Sequence, residues 1–158
     1  MRLSNGFTLI EMLVTLSLLT ILLGITLPVN ELIKQREKET ELQRRLLLIR
    51  TAIDAYHLAV QEGKIEKSAS QSSYPPNLQT LVQGVVDKTS PNGNKIYFLR
   101  RIPADPMCVK CEDKQPEETW DTRSYQSSHE DFLAGEDVYD IRSKSTKTGI
   151  NGVTYRDW

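Results

Sequence analysis

The sequence predicts an α+β chain: one long N-terminal helix, with a short helix and a small antiparallel sheet packed on its C-terminal half. Three observations carry this. From Phe7 to Leu27 the chain is almost continuously apolar. From Val29 to about Gln61, apolar residues recur at three- and four-residue steps, the period of an amphipathic helix. Beyond residue 63, short aromatic and β-branched runs alternate with Pro, Gly and Asn turn signals.

The apolar run sets the length scale. Roughly 21 residues at about 1.5 Å rise per residue give about 31 Å, close to the hydrocarbon thickness of a bilayer. Its single charge is Glu11. A carboxylate in a membrane segment costs on the order of 2.5–3.5 kcal/mol on insertion scales, so by default it marks function and needs a partner. The plainer alternative is an ordinary membrane anchor with one polar accident. A secretory signal peptide fits poorly, because it would have a clearer basic region, a shorter apolar core and a small-residue cut after that core. Here a glycine, Gly6, precedes the core instead.

Around Glu11 the pattern is specific. A short polar leader with one basic residue, Arg2, ends in Gly6; Phe7 follows, and Glu11 is the fifth residue after the Gly6–Phe7 bond. This resembles the class III signal of type IV pilins and of the pseudopilins of type II secretion. The resemblance implies that a membrane peptidase cuts between Gly6 and Phe7 and methylates the new amine of Phe7. It also implies that Glu11 neutralises the N-terminus of a neighbouring subunit during filament assembly. The type IV pilin-like fold follows as an expectation, with a leader over 1–6, a transmembrane and filament-core helix over 7–28, an amphipathic spine over 29–62 and a globular domain over 63–158.

Gly24 and Pro28 interrupt the helix-forming sequence. Proline lacks a backbone donor and clashes with the preceding turn, so a kink or loosening is expected there. A helix simply reaching the membrane interface is compatible with that. On the spine, Leu32, Ile33, Leu42, Leu46, Ile49, Ile53, Tyr56 and Val60 form the predicted apolar stripe. Glu31, Lys34, Arg36, Glu37, Lys38, Glu39, Glu41, Arg44, Arg45 and Arg50 occupy the other faces. They read as a solvated surface supported by pairs such as Glu41 with Arg45, or, between Glu31 and Arg45, as a surface meeting neighbouring subunits. Gly63 is a plausible helix terminator.

Residues 64–73 are polar and serine-rich and read as a loop without core potential. In Y-P-P-N-L-Q-T-L-V, Asn77 can cap a short helix with Leu78, Leu81 and Val82 inward. Residues 83–95 read as a turn-rich connector and 95–102 as a strand closed off by Pro103 and Pro106. The stretch from Met107 to Gly135 is polar, with Trp120 and Tyr125 as expected core contacts. From Asp137 a strand V-Y-D-I-R-S is expected, with Val138 and Asp140 on one face and Tyr139 and Ile141 on the other. Asn151–Gly152 signals a tight turn. The succession Y-P-P-N-L-Q-T-L-V, Y-F-L-R-R-I-P-A-D-P, a tryptophan and V-Y-D-I-R-S is similar to the G-type major pseudopilin of type II secretion.

That similarity implies a structural subunit of the bacterial inner membrane, single-pass, with its C-terminal domain in the periplasm. Its implied partners are copies of itself in a helical homopolymer, the prepilin peptidase, minor pseudopilins, and an inner-membrane assembly platform with its ATPase. The short filament would drive protein export across the outer membrane. A surface pilin for adhesion, motility or DNA uptake shares the same assembly chemistry; an uncleaved single-pass binding protein is a third reading.

Other chemistry is sparse. The net charge of −1 gives no footprint for nucleic acid. Cys108 and Cys111 form a C-x-x-C without the strand-to-helix context of redox enzymes, and His57 and His129 are not spaced to complete a zinc site. In an oxidising compartment a local disulfide is the expectation, with free thiols as the alternative. G-type pseudopilins typically bind calcium in a C-terminal loop. The corresponding oxygen candidates are Asp140, Asn151 and Asp157, but Lys144 and Lys147 stand where negative charge would help. No nucleophile–base pair, phosphate loop or catalytic carboxylate pair stands out, so an enzyme is not expected.

Overall fold

The computed structural model describes residues 6–68, 71–109, 111, 113–128 and 130–158, without the side chains of residues 24–28. The first helix, α1 (Leu9–Gln61), has 53 residues. The chain divides into two compact units, Met1–Glu37 and Lys38–Trp158.

In the first unit every described side chain from Phe7 to Leu23 is exposed, so α1 presents a mainly apolar surface there. The hydroxyls of Thr15, Ser17 and Thr20 each donate to a carbonyl of the preceding turn, at 3.0, 2.8 and 2.8 Å. No polar side chain of this stretch other than Glu11 and Thr8 is left needing an outside partner, a property suited to an apolar medium. Among the described residues no helix is long and apolar enough to cross a membrane. The expected kink at Gly24 and Pro28 falls where side chains lie outside the description; the helix assignment itself runs through those residues.

The second unit is built on the rest of α1. Leu42, Leu46, Ile49, Ile53 and Tyr56 of the predicted stripe are buried, Val60 is half-buried, and Ala52 and Ala59 complete the packed face. The helix ends as Gly63 predicts. Gly63 takes φ +71°, its N–H donates to Val60 O at 3.0 Å, and Lys64 N–H reaches Ala59 O at 3.0 Å. These paired bonds close the last orphan carbonyls in a Schellman motif. Ile65, just beyond, is buried against the core, which corrects the expectation that this loop contributes nothing to it.

Helix α2 (Leu78–Gln83) begins at Asn77, whose side chain accepts from Thr80 N–H at 3.0 Å. Leu78 and Leu81 are buried. Strands β1 (Val85–Val86) and β2 (Lys95–Ile96) pair antiparallel, Val85 opposite Ile96. The supposed connector therefore holds half of a hairpin, and the strand expected over 95–102 shrinks to its first two residues. The reason lies in the backbone donors: Phe98 and Leu99 N–H both turn to Leu81 O, at 3.0 and 2.9 Å, instead of extending the ladder.

A second two-stranded sheet pairs β3 (Trp120–Arg123) with β4 (Asp140–Ser143) antiparallel, Trp120 opposite Ser143. Sequence reading found β4 but not β3. Trp120 is buried as expected and donates its indole N–H to Pro103 O at 2.8 Å. Tyr125 is not: it is 62% exposed and joins Tyr74 and Tyr139 in a surface aromatic cluster. Ile141 and Ser143 of β4 are buried, and so is Val138 just before the strand, so the expected placement of Val138 and Ile141 on opposite faces fails. Regular pairing starts only at Asp140, because Val138 N–H donates to Pro75 O at 2.8 Å and lies outside the ladder.

Candidate functional site

Gly6, Phe7 and Thr8 precede α1 in extended or irregular backbone. Among the described residues nothing lies within 4 Å of where a Cβ on Gly6 would sit, and Phe7 is 77% exposed. The rest of the expected leader, residues 1–5, lies outside the described residues.

Thr8 starts the helix. Its hydroxyl oxygen accepts from Glu11 N–H at 3.3 Å, and its carbonyl accepts from Met12 N–H at 3.2 Å. T-L-I-E is a capping-box sequence, Thr at the cap and Glu at the third helical position, which the initial reading of Glu11 overlooked although the spacing shows it. Glu11 therefore sits in the first turn, where the unsatisfied N–H groups and the helix dipole favour negative charge. Its side chain is exposed. An uncrowded Gly6–Phe7 bond, a mainly apolar helix and one carboxylate in its first turn form a single arrangement.

Residues 1–27 match the prokaryotic N-terminal methylation motif. No curated protein and no solved structure matches the chain. The N-terminal methylation motif supports a type IV pilin-like chain, a filament-forming subunit processed by prepilin peptidase, and so a structural role for the protein. The α+β architecture with a long N-terminal helix and small antiparallel sheets fits that family's fold. The methylation motif ends before the second unit, whose residues carry their own constraints.

Two charged spine residues placed on the solvated face by periodicity are instead structural. Glu39 is buried, and its Oε1 accepts from Ile150 N–H at 2.9 Å and from the Tyr155 hydroxyl at 2.8 Å. Arg50 donates through Nε to Asp140 Oδ1 at 2.8 Å, and through one terminal nitrogen to Ile141 O and Trp158 O, both at 3.0 Å. Charge on a helix cannot reveal by itself that a later segment will fold over it.

This arrangement does not fit calcium. Asp140 is held by Arg50 and, at 3.7 Å, by Arg123. Asn151 Oδ1 accepts from Val153 N–H at 3.0 Å, steadying the turn at Gly152, which takes φ +79°. Asn151 and Asp157 border a shallow cleft of about 350 Å³, but Arg50 lines the same cleft. A fixed guanidinium on the best carboxylate supplies the positive charge a divalent ion would bring. Among the described residues, no group of three or more His, Cys, Asp or Glu side chains is placed to hold a metal ion.

Cys108 and Cys111 form a disulfide with Cα atoms 5.9 Å apart. His57 stacks on Tyr74 at 4.4 Å between ring centres, with its Nδ1 buried and without a hydrogen-bond partner. His129 lies outside the described residues. Glu41 receives hydrogen bonds from Arg44 and Arg45, which hold its carboxyl at about 2. The predicted Glu41–Arg45 pair forms at 2.7 Å.

Proposed function

We propose that this protein is a subunit of a type II secretion pseudopilus. The precursor inserts through the apolar residues 7–28, a peptidase cuts between Gly6 and Phe7, and the amine of Phe7 is methylated. Glu11 of an incoming subunit then pairs with that amine on a neighbour, and the apolar helices bundle as the filament core. An ATPase-driven inner-membrane platform and minor pseudopilins would assemble the polymer, with residues 63–158 in the periplasm.

The observation that carries this reading is the placement of Glu11, the lone charge of the apolar run, one turn beyond an exposed Gly6–Phe7 bond. A cation delivered by cleavage matches a carboxylate that otherwise has no counter-charge in an apolar setting. The exposed apolar face from Phe7 to Leu23 supports a membrane anchor and a core of packed helices.

The similarity of the C-terminal segments favours the pseudopilin over a surface pilin, as does the short Cys108–Cys111 ring, since pilins often carry a larger disulfide loop. Intact mass tests the shared chemistry: loss of residues 1–6 with one added methyl is expected, and a chain retaining Met1 would overturn it. Deleting the gene tests the branch. Loss of secreted enzymes with surface filaments intact is expected; lost surface filaments with normal secretion would assign the protein to a surface pilus.

A further inference from the structure

The second unit carries a basic cleft and, in residues that do not line it, an acidic knob around Leu133. The cleft, about 720 Å³, has a floor that includes Leu48, Phe98, Ile102 and Pro103 and a rim that includes Arg44, Arg100 and Arg101. Leu48 is 49% exposed. Glu41 engages Arg44 and Arg45, whereas Arg100 and Arg101 are exposed and make no ion pair among the described residues. Apolar floor and unpaired cations together describe a receptor for an apolar side chain flanked by carboxylates.

The chain carries such a feature between residues 130 and 136. Leu133 is 64% exposed, yet its backbone is fixed on both sides: its carbonyl accepts from Ser124 N–H at 2.9 Å, and its N–H donates to Ser127 Oγ at 3.0 Å. Phe132 is pinned under Arg142 at 3.9 Å and near Arg123 at 5.6 Å. Around Leu133 stand Glu130, Asp131 and Glu136, all exposed and without an ion pair among the described residues. Leu133 and Glu136 also border a separate cleft of about 610 Å³, and the leucine keeps most of its surface in solvent although its backbone is braced.

We propose that the Leu133 knob of one subunit docks into the Arg100–Arg101 cleft of a second copy. The knob is anchored to the β3–β4 face through Arg123 and Arg142, and no residue of the knob lines the cleft. Two different patches meeting in this way form a heterologous contact, which leaves one patch open at each end and so propagates. The contact rests on the filament reading above and names the globular surfaces that would meet within it.

Cross-linking tests it in the full-length chain in its native membrane. In a Cys108→Ser/Cys111→Ser background, Arg101→Cys with Leu133→Cys in one chain should give an oxidative ladder of dimers, trimers and higher species. Co-expressed single-cysteine variants should stop at dimers. In the native-cysteine chain, Arg100→Glu/Arg101→Glu should lower filament yield about tenfold, as should Glu130→Arg/Asp131→Arg, and combining the reversals should restore yield to within about twofold, as expected for paired charges. Processed, filament-forming protein with no ladder and unaffected reversals would overturn the contact while leaving the proposed function standing. Cross-links only to a different protein would do the same. Wild-type protein that is neither processed nor polymerised would overturn both.

Discussion

Arg50 reaches from the spine helix to Asp140 of β4 at 2.8 Å, joining residues 90 positions apart. The same guanidinium also binds two backbone carbonyls, so three acceptors from the C-terminal segments converge on one side chain. Arginine suits this place because its planar fork presents several donors in fixed directions, which lysine cannot copy.

Arg50→Ala should therefore destabilise the second unit by about 1.5–3 kcal/mol, the range for hydrogen bonds to charged groups. Thermal unfolding of the detergent-solubilised protein would show it. Arg50→Lys should recover only part of the loss. If alanine leaves the midpoint unchanged, the Arg50 contacts carry no net stability.

Acid should loosen the loop that follows β3. Burial raises the Asp137 carboxyl, but hydrogen bonds from the Ser124 and Ser72 hydroxyls and from Tyr125 N–H outweigh it, leaving the group below its ordinary 3.8. A lowered folded-state value adds stability above the unfolded value and loses it as pH falls through the folded one. Stability should thus be flat in this group's contribution at neutral pH and decline below about pH 4. Asp137→Asn should flatten that decline relative to wild type in acid-unfolding curves. An unchanged acid slope would remove Asp137 from the account.

The proposed assembly role of Glu11 can be separated from its place in the first helical turn. Glutamine also serves the third position of a capping box, so Glu11→Gln should preserve the helix start while removing the charge. Filaments should then fail although the chain inserts and is cleaved. Thr8→Ala should do the reverse, loosening the first turn by about 1 kcal/mol while leaving the charge in place and assembly largely intact. Normal filaments from Glu11→Gln would mean that Glu11 acts only as a helix cap.

The helical part of the fold was legible because the three- and four-residue spacing of Leu42, Leu46, Ile49, Ile53 and Tyr56 extends over several turns. Asn77 and Gly63 were legible for a different reason, since each satisfies a local backbone need. The sheets were not. Two-residue strands such as Val85–Val86 carry no period to detect, and β3 pairs through residues W-D-T-R that lack β-strand patterning. At the N-terminus the glycine, the phenylalanine and the carboxylate stood out, while Thr8 hid among apolar neighbours. Glu39 and Arg50 were misread because a charge on a helix declares its face only when the covering segment is known.

Glu39 and Arg50 also impose an order on folding. Their partners in the C-terminal segments, from Asp140 to Trp158, come about a hundred residues later, so these particular contacts form only when the final stretch has arrived. Closing so long a loop is slow, and until it closes this side of the spine stays open to water. A chain truncated near residue 150 would keep its anchor and its processing signal yet expose an unfinished core. Closure of the second unit thus depends on the segment that arrives last.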